Sequence, residues 1–203
     1  MHISLQNVGK RFERNWVFRN ISQEFKEGAK YAILGPNGSG KSTLLKAISG
    51  NLTISEGKIE YKKNGSAVNV EEVYKEITIT APYLDLPEEY SLEELITFHK
   101  TFKSIKLSVK DIIAKMELSH TNDRLFKRFS SGMKQRVKIG LAIMSDTPLL
   151  LLDEPCTALD ANAVKWYQSL IAEFASQKTI LVFSNNKEEE FKFCTETVLP
   201  FIV

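Results

Sequence analysis

Cysteine is scarce: Cys156 and Cys194 are the only two in 203 residues. A single bridge cannot staple a chain of this length. A disulfide-framework fold is excluded, and both thiols are expected to be reduced, as in the cytosol. Long apolar runs are missing as well. No window reaches the ~18 consecutive apolar residues of a spanning helix. The opening Met1-His2-Ile3-Ser4 lacks the charged-then-apolar run of a secretory leader. A cytoplasmic location is expected, with any membrane contact made through a partner. Neither sign of charge dominates, since 27 Lys and Arg face 25 Asp and Glu for a net of +2. That leaves no electrostatic footprint for a polyanion, so no nucleic-acid partner is expected. Internal repeats, low-complexity tracts and Pro/Ser-rich linkers are also absent. With 43% apolar and 26% charged residues the composition is that of a globular chain, which excludes collagen-like and disordered classes. At roughly 150 residues per domain, one domain over residues 1–203 is expected.

What the chain does contain is two alternating kinds of periodicity. Ile3, Leu5 and Val8 are the apolar positions of a first strand, residues 16–25 read as a second and 57–61 as a third, with Ile59 and Tyr61 on one face. Short pieces punctuated by Gly and Asn predict an N-terminal antiparallel β subdomain. Residues 31–34 are continuously apolar, the mark of a strand buried on both faces. Less uniform runs recur at 77–80, 149–152 and 179–183, and the end of the chain, 198–203, reads as a last strand. Helical spacing lies between them. It is clearest over 162–176, where Tyr167, Leu170, Ile171 and Phe174 fall at i, i+3, i+4 and i+7. This alternation predicts an α/β fold with a mostly parallel core sheet. Residues 83–128 lack buried-strand runs but carry helical stretches at 92–102 and 109–118, and read as a helical insertion subdomain.

Gly35-Pro36-Asn37-Gly38-Ser39-Gly40-Lys41-Ser42-Thr43 satisfies the phosphate-loop pattern GxxxxGK[ST], between a buried strand and a helix with Leu44, Leu45 and Ile48 on one face. Glycines let successive backbone N–H groups turn around a phosphate, and the helix N-terminus adds its positive end. Lys41 supplies charge to the β- and γ-phosphates, and Ser42 a hydroxyl to Mg²⁺. The fold class is therefore that of a P-loop NTPase. Further on, four leucines lead to Asp153-Glu154-Pro155. Carboxylates at the carboxyl end of a buried strand lie where ligands bind in open α/β sheets. Asp153 is expected to hold Mg²⁺ through water, and Glu154 to orient and deprotonate the attacking water.

Between these motifs stands Phe129-Ser130-Ser131-Gly132-Met133-Lys134-Gln135-Arg136, before an amphipathic stretch with Val137, Leu141 and Met144. Here the chain closely resembles the ATP-binding-cassette family, whose signature segment is usually written LSGGQ. Thr157-Ala158-Leu159-Asp160 looks like that family's D-loop. The resemblance implies that Ser130, Ser131 and Gly132 close on ATP held by the Lys41 loop of a second cassette, in a homodimer or heterodimer. Ser131 replaces the first glycine and Met133 the final glutamine. A kinase or GTPase has no use for this segment. The family's adenine-stacking aromatic matches Phe12 best, with Trp16 second. Its Q-loop glutamine falls on Pro82, with Tyr83 and Asp85 as nearby polar groups, and its switch histidine on Asn185. None of His2, His99 and His120 falls at that switch; all three are expected on the surface or in loops. A proline without a polar side chain and an amide that cannot carry charge imply slow hydrolysis. The insertion and Q-loop, with Tyr83, Tyr90 and Phe98, are implied to accept a helix of separate transmembrane transporter subunits. Absence of a spanning segment and of a second cassette favours a transporter's ATP-hydrolysing subunit. An ATP-dependent clamp or regulatory module with residual hydrolysis stands as the alternative.

Overall fold

A computed structural model of the chain describes residues 1–121 and 124–198. Two sheets divide its strands. β1 (His2–Phe12), β2 (Asn15–Phe25), β4 (Glu56–Lys63) and β5 (Ser66–Val68) form an antiparallel sheet in the order β2-β1-β4-β5. β3 (Lys30–Leu34), β6 (Ile77–Thr80), β7 (Leu149–Asp153), β8 (Thr179–Ser184) and β9 (Glu196–Val198) form a parallel sheet in the order β6-β7-β8-β3-β9. Residues 199–203 of the expected last strand lie outside the described residues. The antiparallel sheet is larger than its periodicity suggests. Register shifts between Leu5 and Val8, Val8 and Lys10, and Lys10 and Arg11 break the alternation of β1 beyond Leu5. β5 is joined to β4 by Asn64-Gly65, both at positive φ, a strong hairpin signal before a strand of only three residues.

The helices are α1 (Lys41–Ile48), α2 (Leu92–Phe102), α3 (Val109–Lys115), α4 (Ser131–Met144), α5 (Ala161–Phe174) and the single turn α6 (Glu188–Phe191). None is long and apolar enough to cross a membrane. α3 stops short of residue 118 because Glu117 takes a left-handed φ of 58°. β7 is buried on both faces, and its alternation sorts the core. Leu149 and Leu151 pack with α1 and the antiparallel sheet, while Leu150 and Leu152 pack with α4, α5 and the insertion. By the same two-residue period Asp153 points to the α1 side. The insertion is closed at its base by a bridge between Ser91 and Leu125, and α2 starts with a Ser91/Glu94 capping box.

One histidine departs from expectation. His120 is exposed and His2 is half-buried beside Glu24, but His99 lies half-buried on α2 with Nε2 2.8 Å from Ser145 Oγ. The Ser145 hydroxyl donates to Leu141 O at 2.6 Å, so the proton between the two side chains belongs to His99 Nε2. Burial, aided by the charge of Lys103, pushes the imidazole from 6.5 down to about 4. Between those values the unfolded chain binds the extra proton and the folded chain does not. The contribution is complete above pH 6.5 and is lost as pH falls toward 4, a change of about 3 kcal/mol. Urea unfolding of wild type and His99→Gln across this range should therefore show the wild type losing about 3 kcal/mol relative to the variant. Parallel curves would contradict this assignment.

Candidate functional site

β3 leads straight into the phosphate loop, whose Gly35 N–H donates to Ser184 O at the end of β8, 3.2 Å away. Gly40 caps α1 at φ 88°, and a Cβ there would sit 2.9 Å from Val17 Cγ1. Both the conformation and the space therefore demand glycine. The first turn of α1 carries no acidic residue, so its orphan N–H groups and positive end face outward unopposed. Lys41 is buried, and its ammonium donates to Gly35 O at 2.7 Å and Pro36 O at 2.9 Å.

Asp153, at the end of β7, is buried and accepts a 2.7 Å hydrogen bond from Ser42 Oγ. Burial raises its carboxyl above the ordinary aspartate range, against the opposing pull of the Ser42 hydroxyl. Glu154 follows at φ 42°, a left-handed conformation costing a side-chain-bearing residue about 1–2 kcal/mol. Its N–H donates to Phe183 O at 2.9 Å, and its carbonyl accepts from Thr157 N–H at 3.1 Å. Glu154, Lys41, Ser42, Asn37 and Gly38 line one cavity of about 310 Å³. Val17 of β2 joins that lining. Nothing in the sequence singles it out from the strand-like run around it.

The second half of the expected site is built separately. Ser130 caps α4, its Oγ accepting from Met133 N–H at 3.2 Å, which leaves the hydroxyl proton free to donate outward. Ser131 is exposed beside it. A Cβ on Gly132 would lie 3.2 Å from Ala158 O, so this turn rests directly on residues 157–160. Asp160 caps α5 by accepting from Ala163 N–H at 2.8 Å. None of Ser130, Ser131, Gly132 and Asp160 lines the Lys41 cavity.

Phe12 ends β1 and is 51% exposed, with the Lys10 ammonium 4.9 Å from its ring centre. It borders a cavity of about 450 Å³ together with Thr43, Lys46, Ile79 and Tyr83. Trp16 is engaged by the guanidiniums of Arg11 and Arg19, 5.6 Å and 4.4 Å from its ring. Phe12 is thus the freer π-face. Pro82 is exposed, and the two polar groups near it diverge. Tyr83 carries Lys46 Nζ 4.4 Å from its ring centre, and burial plus the charge of Asp153 push its phenol up to about 12. Asp85 lines a different groove with His99 and Lys138. Asn185 is exposed immediately after β8.

These residues suit Mg²⁺ and a triphosphate. The Ser42 hydroxyl and Asp153 carboxylate are hard oxygen donors already in contact. No group of three or more His, Cys, Asp and Glu gathers for a metal among the described residues. Two such oxygens are the kind of ligand by which Mg²⁺ is held when substrate phosphates complete its shell.

The family model for the ABC transporter matches residues 18–157. An uncharacterized ABC transporter ATP-binding protein of Bacillus subtilis, YybJ, is 31% identical over 95% of this chain and 89% of its own length. The lantibiotic transport ATP-binding protein SrtF of Streptococcus pyogenes is 27% identical over 91% and 80%. The dimeric structure of MJ0796, a bacterial ABC transporter cassette, shares the fold with a TM-score of 0.81 at 22% identity, over 98% of this chain and 94% of that one. With its phosphate loop, acidic strand end and intervening signature segment, the chain belongs to the ABC transporter family as an ATP-binding subunit.

Proposed function

We propose that residues 1–203, insertion included, act as one ATP-hydrolysing cassette that works in pairs beneath separate transmembrane subunits. The observation that carries this reading is the separation of Ser130 and Gly132 from the cavity at Lys41. Two such chains facing head to tail bring each signature turn to the other's phosphate loop, whether the pair is a homodimer or a heterodimer. The loop amides and Lys41 bind the phosphates, Phe12 stacks on adenine, and Ser130 and Gly132 donate to the γ-phosphate across the interface. Asp160 lies on that same interface. Ser42 and Asp153 would hold Mg²⁺, which when bound would neutralise charge on the phosphates. Glu154 accepts the proton of the attacking water, and Asn185 donates a neutral hydrogen bond where the family's switch residue stands. Pro82 contributes no polar group, and with Asn185 it sets a slow turnover.

The groove for the membrane partner runs along β6, between α2 and α4, and encloses about 290 Å³. Exposed aromatics stand on α2 beside it, Phe98 stacking edge-on with Phe102 at 5.1 Å and with Tyr90 at 5.7 Å. Phe102 is 70% exposed. Lys103 and Lys138 line the groove, and burial lowers the pKa of both. Its occupant is an amphipathic cytoplasmic helix of a transmembrane subunit, apolar toward the phenylalanines and carrying a carboxylate toward the lysines. On this reading the chain works in the cytoplasm at the membrane surface.

Tagged protein solubilised from its own membranes should bring down an integral membrane protein. Replacing Phe98 and Phe102 together by Asp should reduce that recovery by about tenfold, as expected from losing roughly 1–3 kcal/mol of apolar contact. Equal recovery with the exposed pair replaced would overturn the docking assignment, and no membrane protein at all would overturn the transporter reading.

A further inference from the structure

The peptide between Pro155 and Cys156 lies just beyond Glu154, and both of its polar groups are held by buried side chains. Pro155 O accepts from Gln135 Nε2 at 2.9 Å. Gln135 belongs to α4, the helix capped by Ser130. On the other side, Cys156 N–H donates to Glu190 Oε1 at 3.3 Å. The second oxygen of Glu190 accepts from the Ser184 hydroxyl at the end of β8, one residue before Asn185. Glu190 is wholly buried, and Tyr167 fixes its main chain by donating to Glu190 O at 2.8 Å.

Among the described residues no lysine or arginine bonds this carboxylate, and Lys187 acts on it only through its charge. Burying such a group costs several kcal/mol that an apolar side chain would not. The segment it holds is also strained, with Glu154 at φ 42° and Ala158 at φ 64°. Left-handed residues persist only where their surroundings over-determine them. A clamp from two directions on the intervening peptide does so.

We infer that Glu190 is a positioning residue for ATP hydrolysis: with Gln135 it locks the 155–156 peptide and so fixes Glu154 against the strand end that carries Asn185 and the helix that carries Ser130. The inference rests on the reading of Glu154 as the base. Glu190 is wholly buried and does not line the cavity at Lys41. Its effect reaches the reaction through the backbone of residues 154–156.

The test is steady-state ATPase of the full chain with Mg-ATP. Glu190→Ala should lower kcat by about tenfold with KM for ATP within about twofold, because small misplacements of a catalytic group cost rate while the phosphate loop is untouched. Glu190→Gln should restore most of the loss, since its amide can accept from Cys156 N–H and donate to Ser184 Oγ. Ser184→Ala removes one arm, together with the acceptor for Lys187 N–H at the start of α6, and should lower kcat in the same selective way. In a Glu154→Gln background, Glu190→Ala should cost nothing further. Unchanged kcat in Glu190→Ala or Ser184→Ala, a parallel loss in kcat and affinity, or a full further loss in the Glu154→Gln background overturns the clamp. Should Glu190→Ala fail to fold, Ser184→Ala and Glu190→Gln decide it by the same criteria. Full turnover in Glu154→Gln alone would instead remove the reading of the base.

Discussion

Glu154→Gln is expected to lower ATP turnover by about 10²- to 10⁴-fold, the range supplied by a positioned general base. Glu154 lines the cavity around Lys41 and Ser42, and its backbone is pinned by Phe183 O and Thr157 N–H. The amide of Gln keeps the size and the hydrogen-bonding reach of the carboxylate but cannot take a proton at neutral pH. Nucleotide affinity, carried by the loop amides and Lys41, should change little. If Glu154 faces the γ-phosphate as proposed, removing its negative charge should also stabilise the closed pair, so the variant should elute as a dimer in Mg-ATP. Turnover within threefold of wild type, measured by phosphate release, would exclude Glu154 as the base. A variant that stays monomeric with ATP at high concentration would exclude the two-chain site.

The second large effect is a gain. Asn185→His should raise turnover by about 10- to 100-fold. Losing one well-placed donor to a developing charge costs 10²–10³ in other hydrolases, and an uncharged amide replaces only part of it. An imidazole can donate and can also carry charge. Asn185 is exposed after β8, so the larger ring meets no packed neighbour and stability should be unaffected. The readout is kcat in Mg-ATP. No gain would mean that residue 185 does not face the γ-phosphate.

Much of the site is legible because its parts are contiguous. Residues 35–43 state the loop in nine consecutive positions, and Asp153-Glu154 stands at the end of an unbroken leucine run. The core strands 31–34, 77–80, 149–152 and 179–183 are found within one residue at either end, since burial on both faces leaves few polar side chains inside them. What escapes is set by tertiary contacts. Val17 reaches the cavity only because β2 lies over Gly40. Glu190 is one of three successive glutamates, a run that reads as a solvated face, yet the phase of α6 turns only the last of them inward. His99 looks like a polar position on α2, and its burial depends on Ser145, 46 residues away. The bulges of β1 hide its true length because each one reverses the inward and outward positions.

Among the described residues the parallel sheet stops at β6, and all four residues of that strand line the groove beside α2. The unpaired side of an edge strand is a template on which a stray polypeptide can add itself, and here three of the four residues are buried. Two residues past Thr80 comes Pro82, which has no N–H to offer and cannot extend the ladder. Pro82 therefore stops the pairing edge from running on past the buried residues of β6, where an incoming strand could otherwise add.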